Sequence, residues 1–140
     1  MGAFAFRLVN GPIDDDWARE RVRGDDAGCV LVFHGTVRNV ARGREVERLE
    51  YQAYPRMVEE ELGRIAEEIL AEYEVLRIAV EHATGEVAIG ECSVAVAVAS
   101  AHRAAAFRAA ADLMDRLKAR APLWKKECYG DGSSWIGRGS

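Results

Sequence analysis

Lysine is nearly missing from this chain of 140 residues: of 19 cationic side chains sixteen are Arg, and the only lysines are Lys118, Lys125 and Lys126. Cysteine is scarce too. Cys29, Cys92 and Cys128 are odd in number and scattered, with no CxxC spacing, which argues against a disulfide framework or a zinc site and suits a reducing cytoplasm. The longest run without Asp, Glu, Lys, Arg or His, Cys92–Ala101, falls well short of the ~20 apolar residues that span a bilayer. MGAFAFRLVNG at the start lacks the basic head and apolar core of a secretory signal. A net charge of −4 leaves no basic excess for nonspecific nucleic-acid binding. Missing also are a Gly-rich phosphate loop, a Ser-His-Asp set and a cluster of metal ligands. No metal or cofactor is therefore expected, and the chemistry falls to Lys, Arg and His, a set suited to an anionic substrate.

What is present reads as interleaved strands and helices. Phe4–Val9 alternates weakly and is closed by Asn10-Gly11-Pro12, as a first strand would be. Asp14, Asp15 and Asp16 supply cap and first-turn carboxylates for a short helix to about Arg23. Gly28–Val37 (GCVLVFHGTV) is the β-branched apolar run of a buried strand. Asn39–Arg44 reads as a mobile polar loop, with a strand after it over Val46–Ala53. Pro55 suits the first turn of a helix whose apolar Val58, Leu62, Ile65, Ile69 and Tyr73 recur at helical spacing. Strands are expected over Val75–Ala83 and Glu91–Ala99, with turns at Thr84-Gly85 and Gly90. Ser100 is placed to cap a second long helix over Ala101–Ala119, which Pro122 ends. Trp124–Cys128 reads as a short strand, and the Gly- and Ser-rich tail from Gly130 is expected to be flexible. No repeat or linker divides the chain, so a single α+β domain over residues 1–140 is expected.

The segregation of lysine is the sharpest chemical signal. Arg keeps its proton in a protein whereas a buried Lys can lose it, so three amines between positions 118 and 126 point to base or nucleophile chemistry there. At ~100° per residue, Phe107, Ala111, Met114 and Lys118 fall in one helical stripe with Arg103 beside it. If that stripe packs inward it carries a cation at each end, and a buried charge needs an anion or a pocket. The alternative is that both side chains reach past the helix ends to water. A desolvated Lys118 would have its pKa lowered toward useful chemistry.

His102 and Arg103 occupy a first turn, where free N–H groups favour anions; they read as a phosphate clamp or as plain surface residues. Arg103 and Lys118 are fifteen residues apart, ~22 Å along a helix. One small substrate meets both only where two chains share a site. Arg38 directly follows a buried strand, a favoured place for a functional side chain, though a solvated loop position explains it equally. Lys125 and Lys126 are adjacent in a strand, so only one of them enters a given pocket.

FHGTVRN (Phe33–Asn39), SAHRAAAF (Ser100–Phe107) and LKARAPLWKKE (Leu117–Glu127), supported by EYQAYPRM (Glu50–Met57), together resemble the large, catalytic subunit family of molybdopterin synthase. The likeness covers roughly residues 28–127. It implies an α/β-hammerhead-like fold with an antiparallel or mixed sheet and two main amphipathic helices. It also implies a cytoplasmic sulfurtransferase that converts cyclic pyranopterin monophosphate to molybdopterin by installing a dithiolene. The sulfur arrives as a thiocarboxylate on the terminal glycine of a small ubiquitin-like partner, and large subunits pair as a homodimer within a heterotetramer.

By resemblance Lys118 and Lys125 are the catalytic lysines, while Thr36, Val37, Arg38, His102, Arg103, Lys126 and Glu127 bind substrate and Phe33 and Met114 wall the pocket. His102 and Arg103 are expected to reach the neighbour's site. Leu123 departs from the Phe often found in the family, and the segment after Trp135 is short and Gly-rich. The chain ends Gly-Arg-Gly-Ser rather than in the Gly-Gly of a sulfur carrier, which sets it apart from the small subunit. Two rival readings are a noncatalytic module that holds a phosphorylated heterocycle and a protein that only docks the ubiquitin-like partner. Clustered lysines speak against the first, and cations on the Phe107–Lys118 stripe against the second.

Overall fold

The two apolar periods read from the sequence become strands and helices in a computed structural model that describes residues 2–138, so Gly139 and Ser140 of the expected tail lie outside the described residues. In chain order the elements are β1 (Phe4–Asn10), α1 (Asp16–Val22), β2 (Cys29–Thr36), β3 (Val40–Ala41), β4 (Arg44–Ala53), α2 (Pro55–Glu72), β5 (Arg77–Ala88), β6 (Cys92–Ser100), α3 (Arg103–Arg120), β7 (Leu123–Tyr129) and β8 (Ser134–Arg138). The strands form one mixed sheet in the order β2-β6-β5-β4-β7-β8, with β3 on β4 and β1 parallel to β5. This is the expected α+β architecture. None of the described helices is long and apolar enough to cross a membrane.

β6 shows how the sequence sorts the layers. Its valines Val94, Val96 and Val98 join the core beneath α2 and α3, with Leu62, Ile65, Ile69, Leu113 and Leu117. Its alanines Ala95, Ala97 and Ala99 face the other way, against Ala18 and Val22 of α1. Side chains alternate along a strand, so a Val-Ala repeat builds a thick layer for two long helices and a thin one for a short helix. α2 and α3 are then fastened by charge. Arg120 grips both oxygens of Glu68 at 2.7 and 2.9 Å and reaches Glu61 at 2.7 Å. Arg116 bonds Glu68, Glu72 and Asp112.

Four elements differ from their sequence expectation. β5 runs past Thr84-Gly85 to Ala88, because Gly85 takes φ +75° inside the strand, a conformation open to glycine without strain. There β5 passes from β1, whose pairing ends at Thr84, to β4, whose pairing starts at Gly85. The polar segment after β2 forms the tight β3–β4 hairpin, in which Arg42 (φ 55°) and Gly43 (φ 70°) give the two positive angles of a type I′ turn. Part of the Gly/Ser tail is β8, paired antiparallel to β7. α3 begins at Arg103 rather than at Ala101, and Ser100 does not cap it: its hydroxyl donates to the His102 carbonyl at 2.6 Å.

The face of α3 is corrected as well. Its buried residues are Ala106, Ala109, Ala110, Leu113, Met114 and Leu117, whereas Phe107 is 58% exposed. The inward direction follows Leu113 and Leu117, and Lys118, one residue on, lies ~100° round the helix.

Leu113 is fully buried among α2, β5 and β6, so Leu113→Ala is expected to lower unfolding free energy by ~3 kcal/mol in urea titration. The Glu68 carboxyl is held down to about 2, from 4.5, first by its hydrogen bond from Arg120 and then by Arg116. The unfolded chain takes up this proton near 4.5 and the folded chain only near 2, so the contribution is complete above the first value and lost as pH falls toward the second. Thermal midpoints followed by circular dichroism are expected to drop between pH 7 and pH 3, and to drop less in Glu68→Gln.

Candidate active site

A cleft opens where the end of β2, the β3–β4 hairpin, the C-terminal half of α3 and β7 meet. Phe33, Thr36, Arg38, Met114, Lys118, Lys125 and Glu127 all line it. Seven side chains singled out from sequence are thus brought together. Strand parity explains the β7 pair: Lys125 stands opposite Tyr51 and Glu127 opposite Leu49 on β4, and all four face the cleft.

Parity also sends Lys126 to the reverse face, opposite Glu50. There the Glu50 carboxyl is held below its ordinary value first by the Cys128 thiol, 3.1 Å away, and then by Lys126 and Arg48. Val37 is buried with Tyr51, Ala83 and Val87 rather than turned into the cleft. His102 and Arg103 are exposed at the far end of α3. Neither lines the cleft of its own chain.

The charges within the cleft are unequal in exposure. Glu127 is 5% exposed and accepts a hydrogen bond from the Tyr129 hydroxyl at 2.7 Å. Lys125 Nζ lies 3.7 Å from its other oxygen, with a side chain only 23% exposed. Burial first pulls the Lys125 pKa down; Glu127 opposes this, and the nearby positive charges of Lys118 and Arg42 add to it. Lys118 instead is exposed at the mouth. The desolvated amine expected at Lys118 is therefore at Lys125, because α3 turns Leu117 inward and leaves Lys118 on its flank.

Such a set can bind an anion through Arg38 and Lys118, with an amine whose pKa is lowered by burial standing behind them. Sequence reasoning passed over Tyr51 and Ser93, which also line the cleft. Burial pushes the Tyr51 phenol up, opposed by a hydrogen bond with Ser93, and its ring meets His82 edge-on at 5.1 Å. Tyr51 sits within EYQAYPRM, but only the β4–β7 register places it opposite Lys125.

The cleft encloses about 150 Å³, below the ~300 Å³ of ordinary ligand pockets. Beside it, between β2 and α3, lies a second, apolar hollow lined by Leu31, Phe107, Ala110 and Ala111. Phe33 and Met114 line both. β2 is the sheet's outer strand, and Val30, Phe33 and Phe107 are exposed along this side.

Comparison with known proteins agrees across almost the whole chain. The molybdopterin synthase catalytic subunit of Bacillus subtilis is 39% identical over 132 residues, covering 94% of this chain and 84% of the relative. Molybdopterin synthase catalytic subunit 1 of Mycobacterium tuberculosis is 39% identical over 137 residues, covering 97% and 93%. The crystal structure of molybdopterin synthase from Staphylococcus aureus superposes with a TM-score of 0.87 at 35% identity, covering 98% of both chains. The family model described as MoaE protein matches residues 8–120. The chain belongs to the MoaE protein family.

Proposed function

We propose that this chain is the catalytic subunit of a molybdopterin synthase. In this reading it moves sulfur from the thiocarboxylated C-terminus of a small ubiquitin-like subunit to cyclic pyranopterin monophosphate and forms the dithiolene of molybdopterin. The observation that carries the reading is the convergence of Lys118 and Lys125 with Arg38 on one cleft, in a chain whose only other lysine is Lys126. Relatives carrying the molybdopterin synthase name at 39% identity support it.

Exposure divides the two amines. Lys118, at the mouth, acts as a fixed positive charge for the phosphate or for the carbonyl of the incoming thiocarboxylate. Lys125, largely withdrawn from water, takes and returns protons at the carbon being sulfurated. Arg38 adds an anion contact at the open side.

The site is completed by a second copy of this chain. One protomer encloses too little space, and the apolar hollow adjoining the cleft offers the seat. Midway between Arg103 and Lys118 on α3 fall Ala110 and Ala111, both lining that hollow. A two-fold axis passing there sets the neighbour's α3 antiparallel and brings its Arg103 alongside Lys118. His102, the preceding residue, comes with it. The anion clamp and the lysines, ~22 Å apart within one chain, then share a pocket.

Lys118→Ala and Lys125→Ala are each expected to fold as the parent does by circular dichroism and to lower molybdopterin formation ~100-fold or more with thiocarboxylated partner and pterin precursor. Lys118→Arg keeps the charge and recovers part of the rate, whereas Lys125→Arg, unable to lose a proton, recovers none. Near-normal turnover by either alanine variant would sink the assignment. For the shared site, Arg103→Ala and Lys118→Ala chains are mixed. Hetero-pairs hold one intact site, so equal amounts are expected to regain about a quarter of parental activity; unshared sites regain nothing.

A further inference from the structure

Arg42 stands outside the cleft lining yet touches the carboxylate in its floor. Three donors surround Glu127. The Tyr129 hydroxyl donates to Oε1 at 2.7 Å, Arg42 Nε approaches the same oxygen at 3.4 Å, and Lys125 Nζ lies 3.7 Å from Oε2. Two groups thus hold the carboxylate by its far oxygen. Lys125 is left with an ion pair too long for a good hydrogen bond.

Arg42 is itself gripped. Its guanidinium carbon sits 3.4 Å from the centre of the Trp135 ring, a cation–π contact. Trp135 stands opposite Glu127, and Gly137 opposite Lys125, in the β7–β8 ladder, so all four share one face of the hairpin. The bare position at 137 admits the indole: a Cβ there would fall 2.0 Å from the ring. The φ of 55° at Arg42 is uncommon for a residue other than glycine, and the hairpin and the indole hold it together. The charged and titratable groups around Lys125 are Glu127 on its own strand, Tyr51 on β4, Lys118 on α3, Arg38 after β2 and Arg42 in the β3–β4 turn. β8 presents only Gly137 opposite it.

We propose that Arg42 is a positioning residue for the reaction read above: clamped on Trp135, it holds the Glu127 carboxylate by its far oxygen and leaves Lys125 with only a long ion pair to the other. Two effects act in the same direction. Arg42 occupies a carboxylate that would otherwise neutralise Lys125, and it sets another positive charge nearby; both favour the neutral amine. The proposal rests on Lys125 being a proton-transfer group, but its test does not require turnover.

With only three lysines in the chain, trace acetylation by isotopically labelled acetic anhydride, read by mass spectrometry, follows each amine separately against pH on the full-length chain. In Arg42→Gln the Lys125 midpoint is expected to rise by about half a pH unit, so that its labelling below the midpoint slows by up to about threefold. Lys126, on the reverse face, keeps its rate. Trp135→Leu retains every charge and is expected to move Lys125 the same way by less, and Arg42→Lys to restore part of the parental profile. A Lys125 profile that stays put in Arg42→Gln, or moves down, overturns the proposal. Molybdopterin formation is assayed alongside. A moved Lys125 in a chain that makes no molybdopterin keeps the positioning role and rejects the function; an unmoved Lys125 in an active chain does the reverse.

Discussion

One buried negative charge organises the cleft. A carboxylate taken out of water must be compensated by hydrogen bonds and opposite charge, and Glu127, near the middle of β7, has lost almost all its contact with solvent. Tyr129, two residues along the same strand, and Arg42, from the β3–β4 turn, supply that compensation on one side. Lys125, two residues the other way, supplies it incompletely on the other. The alternation of a single strand thus sets acid, amine and phenol in a row. Lys118 meets this row from α3 and need not be buried itself, since it is the strand that carries the desolvated amine.

The fold serves this arrangement by joining two halves of a sheet through one long strand. β5 packs its first part beneath α2 and α3, beside β1 and β6, and then passes Gly85 to pair with β4. An asparagine oxygen of β1, from Asn10, lies where a side chain at 85 would have to go. Glycine at this point lets the strand continue through a change of partners, and β4 in turn holds β7 in register. α3 spans both halves. Its Leu113 and Leu117 are locked in the first, and its last turns overhang the second.

Much of this was legible because local signals agreed. Pro55 and the spacing of Val58, Leu62, Ile65 and Ile69 mark α2, and Glu91–Ala99 reads as the strand that becomes β6. Lys118, Lys125 and Arg38 stood out through residue type and motif, and the cleft gathers them. What escaped depends on contacts distant in sequence. Gly85 looks like a turn until β1 and β4 are seen on either side of it. Arg42-Gly43 lacks the Asn-Gly of the commonest hairpin turn, and β8 exists only as the partner of β7. The face of α3 is not legible from its stripe because Phe107, its largest apolar side chain, is turned outward. That rotation moved the expected desolvation from Lys118 to Lys125. Val37 and Lys126 follow the strand period to other faces, a parity that motif spelling does not carry.

The outer edge of β2 has a further consequence. Along it run backbone donors and acceptors with no strand beyond among the described residues, flanked by Val30 and Phe33. Bare edges of this kind are usually blunted by a lysine, a proline or a bulge, since they invite other strands. Here the only irregularity falls at Gly35/Thr36, the end next to the cleft. A lone protomer therefore carries an open edge that a further strand can join.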